Sequence, residues 1–294
     1  MSDVAEDDYV ADFRTRLGLS GIIDIHTHFM PEQVMRKVWD YFESAGPLIG
    51  RTWPIAYRDE EQVRLKTLRG FGVRAFTSMV YPHKADMAAW LNQWSAEFAA
   101  RTPDCLHTAT FYPDAGAAGY VAEALAAGAR IFKVHIQVGQ FSPVDPLLTE
   151  VWGLIQEAGT PVVVHCGSGP TAGKFTGPGP IAALLERFPR LRLIIAHMGA
   201  PEYSEFLDIA AAYDGVLLDT TMNFTDFFES ADPFPVSERG RLREFGDRIL
   251  FGSDFPNIPY SYGHALESLE RLELGDDWLR QVCYGNAARE FGIA

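Results

Sequence analysis

His26 and His28 stand one residue apart in "GIIDIHTHFMP", where a short apolar run is ending. Residues two apart along an extended chain project to the same side. The two imidazoles therefore offer a pair of metal donors, with Asp24 one step behind on the same face. Polar residues close other apolar runs in the same way. They are Lys133 and His135 in "ARIFKVHIQ", His165 in "TPVVVHCG", His197 in "RLIIAHMG" and Asp254 in "RILFGSDFP". A lone strand histidine is usually a hydrogen-bonded core residue. Imidazoles gathered around a carboxylate suit instead a divalent transition metal such as zinc, with no need for thiolates. His83, His107 and His264 keep the structural reading, the first in a loop, the second inside a strand and the third at the last helix. Cys166, next to His165, is read as a small packing residue.

For these residues to meet, the elements carrying them must share one end. Eight apolar runs are strand candidates: 21–28, 73–81, 105–113, 129–137, 160–167, 192–199, 215–221 and 248–256. Helix-like segments such as "ADMAAWLNQWSAEFAA" and "DPLLTEVWGLIQEAG" separate them. This βα rhythm implies parallel strands joined by crossover helices. Eight units match a (β/α)₈ barrel, whose catalytic residues gather at the C-terminal strand ends. No Gly-rich dinucleotide fingerprint follows the first strand. Alternation along "KVHIQ" predicts Lys133, His135 and Gln137 on one side. The expected architecture is an α/β TIM barrel forming a single domain over 1–294. Residues 29–72 are expected as an insertion after the first strand, acting as a lid. A second Pro/Gly-rich loop is expected over 167–180.

Composition narrows the function classes. The net charge of −14 argues against a nucleic-acid partner and against anionic membrane surfaces. No apolar run approaches the ~18 residues of a membrane span. The three cysteines are few and widely spaced, which suggests no disulfide framework. The acidic "MSDVAEDDYVADF" lacks the apolar centre of a secretory signal, so a cytoplasmic location is expected. The partner expected is a small molecule, and a homo-oligomer remains compatible with the sequence.

The set "DIHTHFMP", "VVVHCG", "LIIAHMG" and "ILFGSDFP", closed by "CYGNAAREFG", resembles the amidohydrolase superfamily. It is most similar to the amidohydrolase-related branch that contains aminocarboxymuconate-semialdehyde decarboxylase and related metal-dependent hydrolases. The resemblance implies a distorted (β/α)₈ barrel with one or two divalent metals. It makes His26, His28, His165 and Asp254 metal ligands, and His197 and Asp254 catalytic. In binuclear members a fourth-strand lysine is carboxylated and bridges two metals, and "FKVH" resembles that segment. Lys133 is thus either a bridge or, with His135, a substrate-binding group.

One zinc ion is expected, or two if Lys133 is carboxylated. The reaction expected is attack of metal-activated water on an amide, lactone or similar acyl bond. Asp254 would take the water's proton, and His197 would polarise the carbonyl and protonate the leaving group. The alternative is non-oxidative decarboxylation of an aromatic or muconate-type acid. Such chemistry needs a cationic clamp and a flat wall, for which Arg51, Arg58, Lys174, Trp53, Tyr81 and Phe224 are the candidates. A metal-binding barrel without turnover is the remote third reading.

Overall fold

The computed structural model describes residues 3–293, with residues 3–7 described by backbone alone. Strands and helices alternate along the chain as a parallel α/β fold. Each of the eight apolar runs contains a strand: β1 (Ile22–Asp24), β2 (Val73–Thr77), β3 (Cys105–Leu106), β4 (Thr108–Thr110), β5 (Ile131–His135), β6 (Val162–His165), β7 (Leu193–Ile195), β8 (Val216–Asp219) and β9 (Ile249–Leu250). The third run yields two strands because Thr108 turns its hydroxyl back onto the Leu106 carbonyl (3.1 Å) while accepting the Ser78 N–H. His107, between the two strands, still accepts the Arg130 N–H on its carbonyl (2.8 Å).

The chain forms two compact units. In the unit spanning 77–219, β4 to β8 lie in sequence order, each parallel to the next. Val162–Val164, Leu193–Ile195 and Val216–Leu218 are buried without alternation, as strands covered on both faces require. The crossover helices bury one stripe each. Thr149–Ala158 buries Val151, Trp152 and Ile155, and it stops at Gly159 in the left-handed region (φ 66°). The helix Pro178–Arg187 starts inside the stretch read as loop, because a proline at the first helical positions gives up no hydrogen bond.

In the unit of residues up to 76 and from 220 onward, β1 pairs in parallel with β2. The helix Asp3–Leu17 buries Val10, Phe13 and Leu17, a helical stripe that its acidic composition obscured. The segment 29–72 carries helices at Glu32–Ser44 and Glu61–Gly70. It is anchored to the loop after β9, since Asn257 accepts the Trp39 indole N–H on Oδ1 (3.1 Å) and the Trp53 indole N–H on its carbonyl (2.7 Å). Among the described residues, no helix is long and apolar enough to cross a membrane.

Most strands end earlier than their apolar runs. After His135 the chain enters a helical turn, Ile136–Gly139, capped by the His135 ring, whose Nδ1 accepts the Val138 N–H (3.3 Å). The expected alternation therefore stops at His135. Gln137 instead turns its amide to Thr171.

Ile194 is fully buried in the middle of β7. Ile194→Ala should lower stability by about 2–5 kcal/mol, measured as a shift in the urea midpoint at constant m. A loss well under 1 kcal/mol would contradict a close-packed position there.

Candidate metal centre

β1 ends at Asp24 because its carboxylate captures the His26 N–H (3.2 Å), two residues ahead. Beyond it, the segment 25–28 runs beside 251–255 through three backbone bonds. Ile25 N–H donates to Phe251 (3.0 Å), Asp254 N–H to His26 (2.9 Å) and His28 N–H to Phe255 (2.7 Å). This pairing holds the histidine segment in register with the one bearing Asp254. Glycine at 252 is required by closeness, since a Cβ there would lie 2.2 Å from Thr221 Oγ1 and 2.7 Å from His26 Cβ.

His28 Nε2 lies 2.9 Å from Asp254 Oδ1, and His26 Nε2 lies 3.5 Å from the same oxygen. The two imidazoles stand edge to face, with centroids 5.3 Å apart. One ligand atom from each of the three residues falls within 4.8 Å of the others, and all three are buried. Two ring nitrogens facing one carboxylate oxygen form a donor set that fits a divalent cation, with room for further ligands. Asp254 holds its place at φ 73°, a left-handed backbone that aspartate tolerates better than most residues.

Asp24 gathers further donors. Its fully buried carboxylate also accepts Ser253 N–H (3.1 Å), Ser253 Oγ–H and Tyr262 Oη–H (3.1 Å). Burial pushes this carboxyl up to about 7, and those donors pull it back. Asp24 ties the exit of β1 to the exit of β9.

In the other unit, β5 and β6 are in register with His135 opposite His165. The rings stack at 3.8 Å and 13°. His197 meets His165 edge-on at 4.7 Å. His165 Nε2 lies 3.2 Å from the Gly169 carbonyl; donating there leaves Nδ1 as its lone-pair atom. His197 lies beyond the end of β7, at φ 53°, with its N–H on Asp219 Oδ1 (2.8 Å). Asp219, at the end of β8, thus fixes the His197 backbone. Lys133 is 1 % exposed within β5. The neighbouring charges of Lys133, Glu202 and Asp219 act on Cys166, whose thiol is pushed up chiefly by burial. All three cysteines are free and buried, as packing residues.

The side chains expected to contact substrate differ in their surroundings. Arg51 lies over the Phe227 ring (3.8 Å) and donates to the Phe227 carbonyl. Trp53 is buried between Phe42 and Phe227. Phe224 is buried against Phe234. Tyr81 sits 5.1 Å from the His135 ring. Lys174 is exposed beside Phe175, and Arg58 pairs with Asp40 and Glu43 at the surface. Sequence reasoning missed Ser253, Tyr262 and Asn257, all near Asp254 in the chain. "SDFPNIPYSYG" is rich in hydrogen-bonding side chains, the one signal that could have marked them.

The amidohydrolase family profile matches residues 23–293, and the chain belongs to that family. A search of curated proteins found no match. Among solved structures, the chain is similar to an uncharacterized TIM-barrel protein of Bordetella bronchiseptica, at 19% identity and TM-score 0.75 over 93% of this chain and 99% of that one. It is similar to the 5-carboxyvanillate decarboxylase LigW of Sphingomonas paucimobilis, at 17% identity and TM-score 0.62 over 94% and 100%. A Pseudomonas putida protein assigned as a 2-pyrone-4,6-dicarboxylic acid hydrolase matches at 17% identity and TM-score 0.62 over 93% and 98%. These likenesses give the fold as that of the TIM barrels. The family is one of enzymes that generally bind a divalent metal, and the His26–His28–Asp254 cluster is the candidate site for it.

Asp24→Asn leaves one oxygen and an NH₂ group to face a set of donors. It should weaken divalent-metal binding about 10–100-fold and lower the melting temperature of the metal-free protein. Isothermal titration and calorimetry check both. Unchanged metal affinity would remove Asp24 from the support of the site.

Proposed function

We propose that this chain is a metal-dependent hydrolase, acting on an amide, lactone or similar acyl bond of a small molecule. The observation that carries the reading is the buried pair His26 and His28, both turned to one oxygen of Asp254. His26, His28 and Asp254 would hold the ion. A bound divalent cation such as zinc supplies Lewis acidity and a water of lowered pKa. Asp254 has one oxygen turned to both imidazoles and a second that can accept the proton of the attacking water. Fixed through Asp219, His197 would orient its ring to polarise the carbonyl and later protonate the leaving group.

Lys133 is read as a buried cation contributing to substrate binding or, if carboxylated, as a bridge between two ions. The number of metals per chain separates these. Non-oxidative decarboxylation is the second reading, supported by the likeness to LigW. There His197 would protonate the substrate carbon before CO₂ leaves. The substrate class on either reading is a small organic molecule, in keeping with an acidic protein whose cations are local.

Purified protein should carry about one divalent ion per chain by elemental analysis, and His26→Ala with His28→Ala should abolish that content. Asp254→Asn keeps a side chain that tolerates the left-handed backbone. It should fold normally while lowering turnover at least ~100-fold. Lactone and ester opening, run beside CO₂ release from aromatic carboxylic acids, decides the reaction. Full activity in the double histidine variant would end the reading.

A further inference from the structure

Each of the two candidate histidine ligands has both of its flanking peptide groups held. The His26 N–H goes to Asp24 Oδ1 (3.2 Å), and the His26 carbonyl takes the Asp254 N–H (2.9 Å). The His28 N–H goes to the Phe255 carbonyl (2.7 Å), and the His28 carbonyl takes Nη1–H of Arg64 (3.3 Å). Two pinned peptide planes fix the direction of the Cα–Cβ bond between them, and so the point from which the ring starts. Three of these four bonds come from Asp24 and from the segment 251–255. The fourth comes from the helix Glu61–Gly70, late in the segment 29–72.

Arg64 is 5 % exposed, so its guanidinium has lost most of its hydration. What replaces the water is fitted to a cation. Nε donates to the Asp59 carbonyl (3.0 Å), and the Phe29 and Trp39 ring centres lie 4.9 and 5.5 Å from the guanidinium carbon. Burial draws the Arg64 pKa down to about 10, and the carboxylates of Glu61, Glu60 and Asp59 oppose that shift. The side chain is charged at neutral pH, and a charged donor bonds a carbonyl more strongly than a neutral one. Trp39 is fixed in turn. Its indole N–H bonds Asn257 Oδ1 (3.1 Å), and the Asn257 N–H bonds the Asp254 carbonyl (2.8 Å). Arg64 thus joins the backbone of one candidate ligand to a ring tied to another.

We infer that Arg64 is a positioning residue for the metal centre, holding the His28 backbone so that its Nε2 stays turned to the Asp254 oxygen that His26 also faces. The assignment rests on the metal-dependent reading above. It makes the segment 29–72 a support of the metal site through one guanidinium, although the candidate ligands lie outside that segment.

The test measures zinc affinity by calorimetric titration of the metal-free protein, for wild type, Arg64→Met, Arg64→Lys and Leu68→Ala. Methionine keeps an unbranched apolar side chain beside the two rings and removes every donor. It should bind zinc about 10-fold more weakly, the lower end of what losing an outer support costs a metal site. Electrostatics alone predicts the opposite, because taking a positive charge from near a cation site favours the cation. Lysine restores one charged donor in place of the fork and should fall between wild type and the methionine variant. Leu68 is fully buried in the same helix. Its alanine variant should melt at a lower temperature without metal and keep the wild-type zinc affinity. Equal or tighter binding by Arg64→Met, no recovery with lysine, or an equal loss in Leu68→Ala each overturns the assignment. If Arg64→Met does not fold, the lysine variant must bind more weakly than wild type while Leu68→Ala does not, and any other result overturns it. Zinc binding by wild type with the Arg64 variants unaffected reassigns Arg64 alone. A wild type that takes up no zinc removes the metal-dependent reading, and this assignment with it.

Discussion

The carboxylate of Asp24 is the constraint on which the candidate centre depends. It is fully buried, and donors from both sides satisfy it: the His26 backbone from its own segment, and Ser253 and Tyr262 from beyond β9. A buried charge left without partners would be prohibitive, so these segments cannot separate cheaply. Closing that network brings Asp254 beside the histidines, and the backbone bonds between 25–28 and 251–255 complete the alignment. The candidate ligands are thus positioned by a neighbour that is not itself one of them.

Backbone strain follows the same geography. His197 and Met198 after β7, Met222 and Phe224 after β8, and Asp254 after β9 all have left-handed φ values. Each costs roughly 1–2 kcal/mol for an L-residue. Such conformations persist where surrounding contacts over-determine them, and here they lie at the strand exits. The Asp219 bond to the His197 N–H and the zipper at Asp254 show what holds them. Regular strands supply the stiffness, and the bent residues turn the chain at their exits.

Several features were legible because they depend on local pattern. The apolar runs gave all the strand positions, since strands buried on both faces need continuous Val, Ile and Leu. His26, His28 and Asp254 were legible as a set because each ends such a run. His135 facing His165 follows from parallel register, and the sequence suggested only that both lay at strand ends. The break at His107 and the end of alternation at His135 were not legible. At both, a side chain, that of Thr108 or of His135 itself, bonds to nearby backbone. Arg51 and Trp53 stood out by type alone, while the Phe227 ring that both meet lies far along the chain.

By itself the sequence determined the α/β class, the parallel strand rhythm, the acidic balance and the residue types available for a metal. These rest on composition and short-range periodicity, which a linear chain displays directly. Only the tertiary structure decided which donors share an oxygen of Asp254, and that Asp24 ties the exits of β1 and β9 together. Those outcomes depend on distances between segments more than two hundred residues apart in the chain. Hydrogen bonding acts over about 3 Å, a scale that no spacing along the sequence contains.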